Sequence, residues 1–137
     1  MTRRQQLENI IIGTLLESTE EDNYFLECGC SISEYMFEDP VNRHIYKLVA
    51  DMNRRGKVHT SPWSLLMEYG REALDIAPDM CERCMKYSFV ALKTKYNEDS
   101  YMASLIDGLD YGYTNVQFSD YVNNFLTLVY HEERQAS

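Results

Sequence analysis

The sequence predicts an all-α protein, a compact orthogonal bundle of about six to seven helices with a central helical hairpin. Apolar residues recur at helical spacing along most of the chain, and prolines and capping residues recur where those stretches begin. No stretch competes by alternating apolar and polar residues as a strand would. With 137 residues, 45% of them hydrophobic, and no linker-like stretch, the chain is expected to form one domain over residues 1–137.

The N-terminal quarter is predicted to contain two helices and a turn. The first helix runs to about Ser18, and its stripe at i, i+3 and i+4 spacing consists of Leu7, Ile10, Ile11, Thr14 and Leu15. The polar residues 19–22 are expected to cap and start a second helix, which ends near Cys28 and Gly29. A short turn then begins at Ser33.

The clearest helix signals lie in the first arm of the hairpin. Asp39 is placed to cap a helix whose first residue is Pro40, since proline lacks the N–H group that a first turn leaves unpaired. Its apolar face is formed by Val41, Ile45, Leu48, Val49 and Met52. Arg54 and Arg55 suit the negative end of the helix dipole, and Gly56 suits a left-handed stop.

The second arm repeats the same start signal. Thr60 or Ser61 is the predicted cap, Pro62 is the predicted first helical residue, and Gly70 is the predicted end. The two arms and the short basic turn at Lys57 therefore predict a helical hairpin.

Three further helices are predicted after one ambiguous turn at residues 71–77. Pro78 opens a helix that extends towards Tyr96, and residues 97–99 cap another helix that ends at the glycines 108 and 112. Thr114 and Gln117 form a capping box for the last helix, before the polar tail of residues 132–137. The stripe of this last helix consists of Phe118, Tyr121, Val122, Phe125 and Val129.

The formal net charge of −9 argues against direct nucleic-acid binding, which needs clustered lysine and arginine. The acidity either favours protein partners with basic patches or serves only to keep the protein dispersed. The first 18 residues lack the pattern of a signal peptide, and no apolar run is long enough to cross a bilayer. We therefore expect a cytoplasmic protein without membrane contact.

The sequence shows no motif of a catalytic or cofactor site. None of the six glycines belongs to a phosphate-binding loop, and the three histidines, His44, His59 and His131, follow no metalloprotease pattern. The acidic runs sit at predicted helix starts, where the dipole stabilises negative charge. We expect a non-enzymatic protein without a cofactor.

The four cysteines allow two interpretations. A pair separated by one residue and a pair separated by two supply the four thiols that a structural zinc site needs; these are Cys28, Cys30, Cys81 and Cys84. Alternatively, the thiols are free and buried, since Cys81 and Cys84 fall at helical spacing among apolar neighbours. The first interpretation predicts a small zinc-stabilised regulatory protein.

The aromatic residues suggest a contact surface. Eleven tyrosines are present, and those near the C-terminus are interleaved with aspartates, which disfavours stacking on nucleic acid. Tyrosine suits protein interfaces, but tyrosines lining a small core are an equal alternative. The candidate contact residues are Trp63 on the hairpin and Tyr121, Phe125 and Tyr130 on the last helix.

Residues 5–70 resemble the N-terminal domain of DnaB-type replicative DNA helicases. The first helix of that family resembles residues 7–16, including the small residue Gly13, and the turn at residues 56–60 with the following helix is also similar. The family's next signature is matched by Phe37, Pro40, Ile45 and Tyr46. Asn42, Val58 and Thr60 depart from the family's usual histidine, proline and aspartate. Residues 71–137 show no match and are expected to complete the bundle.

The resemblance implies a helical module that hydrolyses nothing, associates with copies of itself as a dimer or larger assembly, and contacts a primase, helicase or loader. The corresponding process is DNA replication in a bacterium or mobile element. The motifs that carry the resemblance are caps, stripes and turns, so they bear on fold more directly than on function.

Overall fold

A computed structural model describes residues 2–95 and 117–136, and its all-α architecture confirms the predicted class. Within those residues the chain forms seven α-helices and two short 3₁₀ helices, with no strand. The α-helices are α1 (Arg3–Leu15), α2 (Pro40–Arg54), α3 (Pro62–Tyr69), α4 (Arg71–Leu74), α5 (Ala77–Tyr87), α6 (Phe89–Lys95) and α7 (Phe118–Ala136). The 3₁₀ helices are Tyr24–Glu27 and Glu34–Met36.

Helix α1 is the central element of the bundle. Every residue from Leu7 to Leu15 is buried, so the helix is covered on all sides and not only on the predicted stripe. It packs against α2, α5, α6 and α7. Its start is stabilised by a capping box, in which the Thr2 hydroxyl accepts from the Gln5 amide at 3.1 Å and the Gln5 side chain accepts from the Thr2 amide at 2.8 Å.

Helices α1 and α5 approach each other closely at Gly13. A methyl group at this position would overlap the Arg83 carbonyl oxygen and lie 2.9 Å from the Ser88 backbone nitrogen. The next residue, Thr14, accepts a hydrogen bond from the Phe89 amide at 2.9 Å. Gly13 therefore lies where the junction between α5 and α6 packs closely against α1.

The start and stop signals of the hairpin are confirmed. Asp39 accepts from the Val41 amide at 2.8 Å, Ser61 caps α3 by accepting from the Ser64 amide at 3.1 Å, and both helices begin with proline. Gly56 and Gly70 have φ angles of 79° and 60°, the left-handed region in which a Cβ atom is disfavoured. Thr60 is not the cap, because its hydroxyl donates to the Leu15 carbonyl at 2.6 Å and ties this loop to the end of α1.

The predicted helix over residues 19–29 was wrong. The Asp22 amide donates to the Thr19 hydroxyl at 3.1 Å, and the Thr19 amide donates to the Asp22 carbonyl at 3.0 Å. These two bonds close a local turn on itself, so the polar run does not start an α-helix. Asn23 then caps the short 3₁₀ helix Tyr24–Glu27, and Ser33 precedes the second 3₁₀ helix at the predicted turn.

The helix predicted from Pro78 towards Tyr96 is divided in two at Ser88, whose backbone is extended at ψ 156°. The Ser88 hydroxyl accepts from the Ala91 amide at 3.1 Å and so caps α6. The last helix begins at Phe118, as expected, but it continues through the polar tail to Ala136. The helix predicted after residues 97–99, and Thr114 of the proposed capping box, lie outside the described residues.

We expect Gly13→Ala to destabilise the protein. Alanine favours an isolated helix over glycine by up to about 1 kcal/mol, so a helix without tertiary contact would gain stability. Here the methyl group meets backbone atoms of α5 that cannot rotate away, and overpacking of this kind costs roughly 1–3 kcal/mol. Urea unfolding followed by circular dichroism measures the difference. Gly29→Ala is the control, because its methyl group meets the movable Phe25 ring. A Gly13→Ala variant more stable than the parent would contradict the close approach.

Candidate contact surface

The hairpin is held antiparallel by a row of side-chain contacts between its two arms. Arg55 pairs with Glu68 at 2.7 Å, and the Tyr69 hydroxyl donates to Asp51 at 2.5 Å. Further along, His44 lies 2.8 Å from Glu72 at the start of α4. Residues further along α3 and α4 contact positions nearer the start of α2, which is the register of an antiparallel hairpin.

Two basic residues at the turn of the hairpin are paired by these contacts. Arg55 and Lys57 both pair with Glu68 at 2.7 Å, and these two side chains hold the pKa of the Glu68 carboxyl below its usual range. Tyr69 is half-buried under the Arg55 guanidinium, and burial together with the bond to Asp51 raises its pKa to about 12. These residues orient α3 on α2, so they are structural and not free to bind a ligand.

With α3 oriented in this way, two large apolar side chains face outward. Leu65 is fully buried, whereas Trp63 is 69% exposed and Met67 is 72% exposed. Trp63 and Met67 are four residues apart on a helix and therefore adjacent on one face. We call these two residues the hairpin patch. Of the predicted contact residues, Trp63 is thus placed on the surface.

The candidate contact residues of the last helix require correction. Tyr121 and Phe125 are fully buried: the Phe125 ring stacks on Phe37 at 5.3 Å, and the Tyr121 ring meets Phe89 edge-on at 5.9 Å. They form the face by which α7 packs on the bundle and offer no surface to a partner. Tyr130 is 50% exposed, so it alone of the three lies at the surface.

A buried polar network between α1, α2 and α5 was not expected from the sequence. The Glu8 side chain is fully buried, and its carboxylate accepts from the Glu38 amide at 2.9 Å and from the Asp39 amide at 3.4 Å. It also accepts from the Asn42 side chain at 3.4 Å, while Arg4 lies 3.7 Å away. Burial raises the pKa of the Glu8 carboxyl, and the hydrogen bonds from Glu38, Asn42 and Asp39 oppose this shift.

Arg83 of α5 completes this network. It is buried, and its guanidinium donates to the Asn42 side chain at 2.7 Å and to the Asp39 carboxylate at 3.0 Å. Asn42 in turn donates to Asn9 at 2.9 Å. The network therefore consists of Glu8, Asn9, Asp39, Asn42 and Arg83, and it joins three helices through donors and acceptors that match one another.

The sequence held a signal for this network that the helical stripes obscured. Glu8 interrupts an apolar run, and Asn42 lies one helical turn before the apolar residues Ile45 and Tyr46. A cavity of about 320 Å³ opens beside the network, lined in part by Gln5, Glu82 and Tyr87. The polar residues of the network bond to one another, so the network is a structural link between the helices.

The described residues contain no group of three or more histidine, cysteine, aspartate or glutamate side chains that could hold a metal. All four cysteines fall within those residues, and none is in a disulfide. Cys28 is buried and Cys30 is exposed. Burial raises the pKa of the Cys28 thiol, and it raises the pKa of the Cys84 thiol to about 11. The described residues therefore provide no set of ligands for the zinc interpretation of the cysteines.

Comparison with known proteins identifies no family for this chain. No protein-family model, curated protein or solved structure matches the chain. Across residues 2–95 and 117–136, none of the helices has the length and apolarity to cross a bilayer.

We expect Arg83→Met to lower the free energy of unfolding by on the order of 2 kcal/mol, because Asn42 and Asp39 lose their charged donor. Denaturant titration measures the change, and the double variant with Asn42→Ala measures how strongly the two side chains are coupled. The control is Lys86→Met, an exposed position on the same helix, where a change within about 0.5 kcal/mol is expected. Equal effects of both methionine variants would argue against a buried network.

The Glu8 carboxyl predicts a specific pH dependence of stability. In the folded protein the pKa of this carboxyl is raised above the ordinary value of 4.5. Between pH 4.5 and the folded-state pKa, the folded chain therefore retains a proton that the unfolded chain has released. The stability contributed by this group is complete below 4.5 and is lost as the pH rises through the folded-state pKa. Glu8→Gln removes this component. Unfolding free energies measured across pH 4 to 8 should therefore show a steeper fall for the parent protein; parallel curves would contradict the prediction.

Proposed function

We propose that this protein is a non-enzymatic helical module that works by protein–protein contact, and that the hairpin patch is its self-association surface. The observation that supports this most directly is the exposure of Trp63 and Met67 side by side on a helix that polar contacts orient on α2. Tryptophan and methionine are enriched at protein interfaces, and an exposed tryptophan is a frequent hot spot.

The arrangement of α3 supports this use. Leu65 anchors the helix in the core, while Tyr69 bonds to Asp51 of α2 and Glu68 bonds to Arg55 at its end, so contacts on both sides hold α3 in place. A preformed surface loses little conformational entropy on association. The charged residues of the hairpin lie near the patch in sequence and suit the polar rim that surrounds an apolar interface centre.

The resemblance to the N-terminal domain of DnaB-type helicases supports the same proposal at the level of sequence. Its helical hairpin signature covers α2 and α3, and the resemblance implies self-association together with contact to a primase, helicase or loader. We therefore propose a role in DNA replication of a bacterium or mobile element. The polar clusters at α1 and α2 bond internally, and the proposal therefore rests on exposed surface and not on these clusters.

We expect Trp63→Ser combined with Met67→Ser to convert a self-associating protein into a monomer. Both side chains are largely exposed, so the helical circular dichroism spectrum and the thermal midpoint should change little. Sedimentation velocity over a range of protein concentrations measures the association. The matched control is Met85→Ser, which removes a methionine that is 77% exposed on α5 and should leave association intact.

A parent protein that remains monomeric at all concentrations would overturn the proposed self-association. Loss of association in Met85→Ser as well would move the interface away from the hairpin patch. A pulldown against purified primase, helicase and loader proteins then tests the wider role, and failure with all three would remove the proposed link to replication.

A further inference from the structure

A groove runs along the outer face of α2, and neither residue of the hairpin patch lines it. It consists of two cavities of about 340 Å³ and 310 Å³, which share Glu34, Tyr35 and Lys47 in their walls. Because these residues line both cavities, the two form one continuous depression between α2 and the preceding 3₁₀ segments. We call it the α2 groove.

One half of the groove has an apolar and aromatic lining. It is formed by Phe25, Ile32, Tyr46 and Ala50, and the Tyr46 hydroxyl is satisfied by donating to the Ile32 carbonyl at 2.7 Å. The lining there is therefore mostly ring and aliphatic surface. Tyr35 lines both halves and is 76% exposed. An exposed aromatic ring beside an apolar depression is suited to receive an apolar side chain.

The groove is also basic, in contrast to the chain as a whole. Arg43, Lys47 and Arg54 line it and recur at spacings that place them on one face of α2. Lys47 and Arg54 form no ion pair within residues 2–95 and 117–136, unlike Arg55 and Lys57, which both bond to Glu68. Arg43 is oriented by donating to the Phe37 carbonyl at 2.9 Å.

This concentration of positive charge is unusual on a chain of net charge −9. Glu34 is the acidic residue among those lining the groove. The unpaired cations therefore create a local positive field that would attract a complementary negative segment and repel a basic one.

We propose that the α2 groove binds an acidic peptide segment of a partner protein that carries a leucine or phenylalanine. The peptide carboxylates meet Lys47 and Arg54, and the apolar side chain enters the half of the groove lined by Phe25 and Tyr46. A nucleic acid fits less well, because the remainder of the acidic surface repels a long polyanion and the apolar lining offers its phosphates no partner. The residues differ from Trp63 and Met67, so this proposal stands or falls independently of the proposed self-association.

Fluorescence anisotropy tests the proposal with a labelled peptide that alternates glutamate with leucine and phenylalanine. We expect saturable binding that weakens as salt is added. Lys47→Glu combined with Arg54→Glu should weaken it about tenfold or more, because attraction becomes repulsion. Both side chains are exposed, so the fold should be retained, as circular dichroism will show. The matched control is Lys86→Glu, a charge reversal at an exposed position outside both cavity linings, which should leave binding within about twofold.

Two further probes separate the alternatives. A peptide with serine in place of leucine and phenylalanine should lose binding, since the apolar lining contributes to recognition. Equal binding of that peptide, or an undiminished affinity in the double charge-reversal variant, would overturn the proposal. A labelled oligothymidylate that binds more tightly than the acidic peptide, and is released by the same charge reversals, would instead assign the groove to single-stranded nucleic acid.

Discussion

Burial of the Glu8 carboxylate is the constraint on which the arrangement of the bundle depends. A carboxylate placed in the middle of a fully covered helix must receive hydrogen bonds, because an unpaired buried charge costs several kcal/mol. The donors come from the start of α2, through the amides of Glu38 and Asp39 and the side chain of Asn42. Arg83 then bonds to Asn42 and Asp39, which sets the position of α5 against both helices. One acidic residue in α1 thus links the placement of three helices.

Polar contacts within the described residues also hold other charged side chains in place. The buried network bonds to itself, and Arg55 and Lys57 at the hairpin turn pair with Glu68 of the second arm. Two other surfaces face outward: the hairpin patch with Trp63 and Met67, and the cations of the α2 groove. These are surfaces of two kinds, one apolar and one basic with an apolar floor. We propose that they suit different partners, one a copy of the chain and the other a second protein.

Local signals in the sequence were sufficient for the hairpin and insufficient for its surroundings. A proline at a first helical position, a capping aspartate or serine and a glycine at a stop act within one turn of chain, so they specify α2 and α3 without distant contacts. The break at Ser88 is different, because the Phe89 amide bonds to Thr14, which lies 75 residues away. The helical stripe of Tyr121 and Phe125 was equally ambiguous. Periodicity showed that one face of α7 is apolar but not whether the bundle or a partner covers it.

The all-α class, the caps of the hairpin and its apolar stripes follow from residue order, because helix propensity, capping and 3.6-residue periodicity are short-range properties. Tertiary structure decided which side chains are covered. It enclosed Glu8 and Tyr121 and left Trp63 exposed, and it joined Asn42 to Arg83 across 41 positions of chain. Burial depends on which helices meet, and that choice is made by close packing at sites such as Gly13 and by the matching of buried donors with acceptors. These contacts form between distant residues, so no local pattern specifies them.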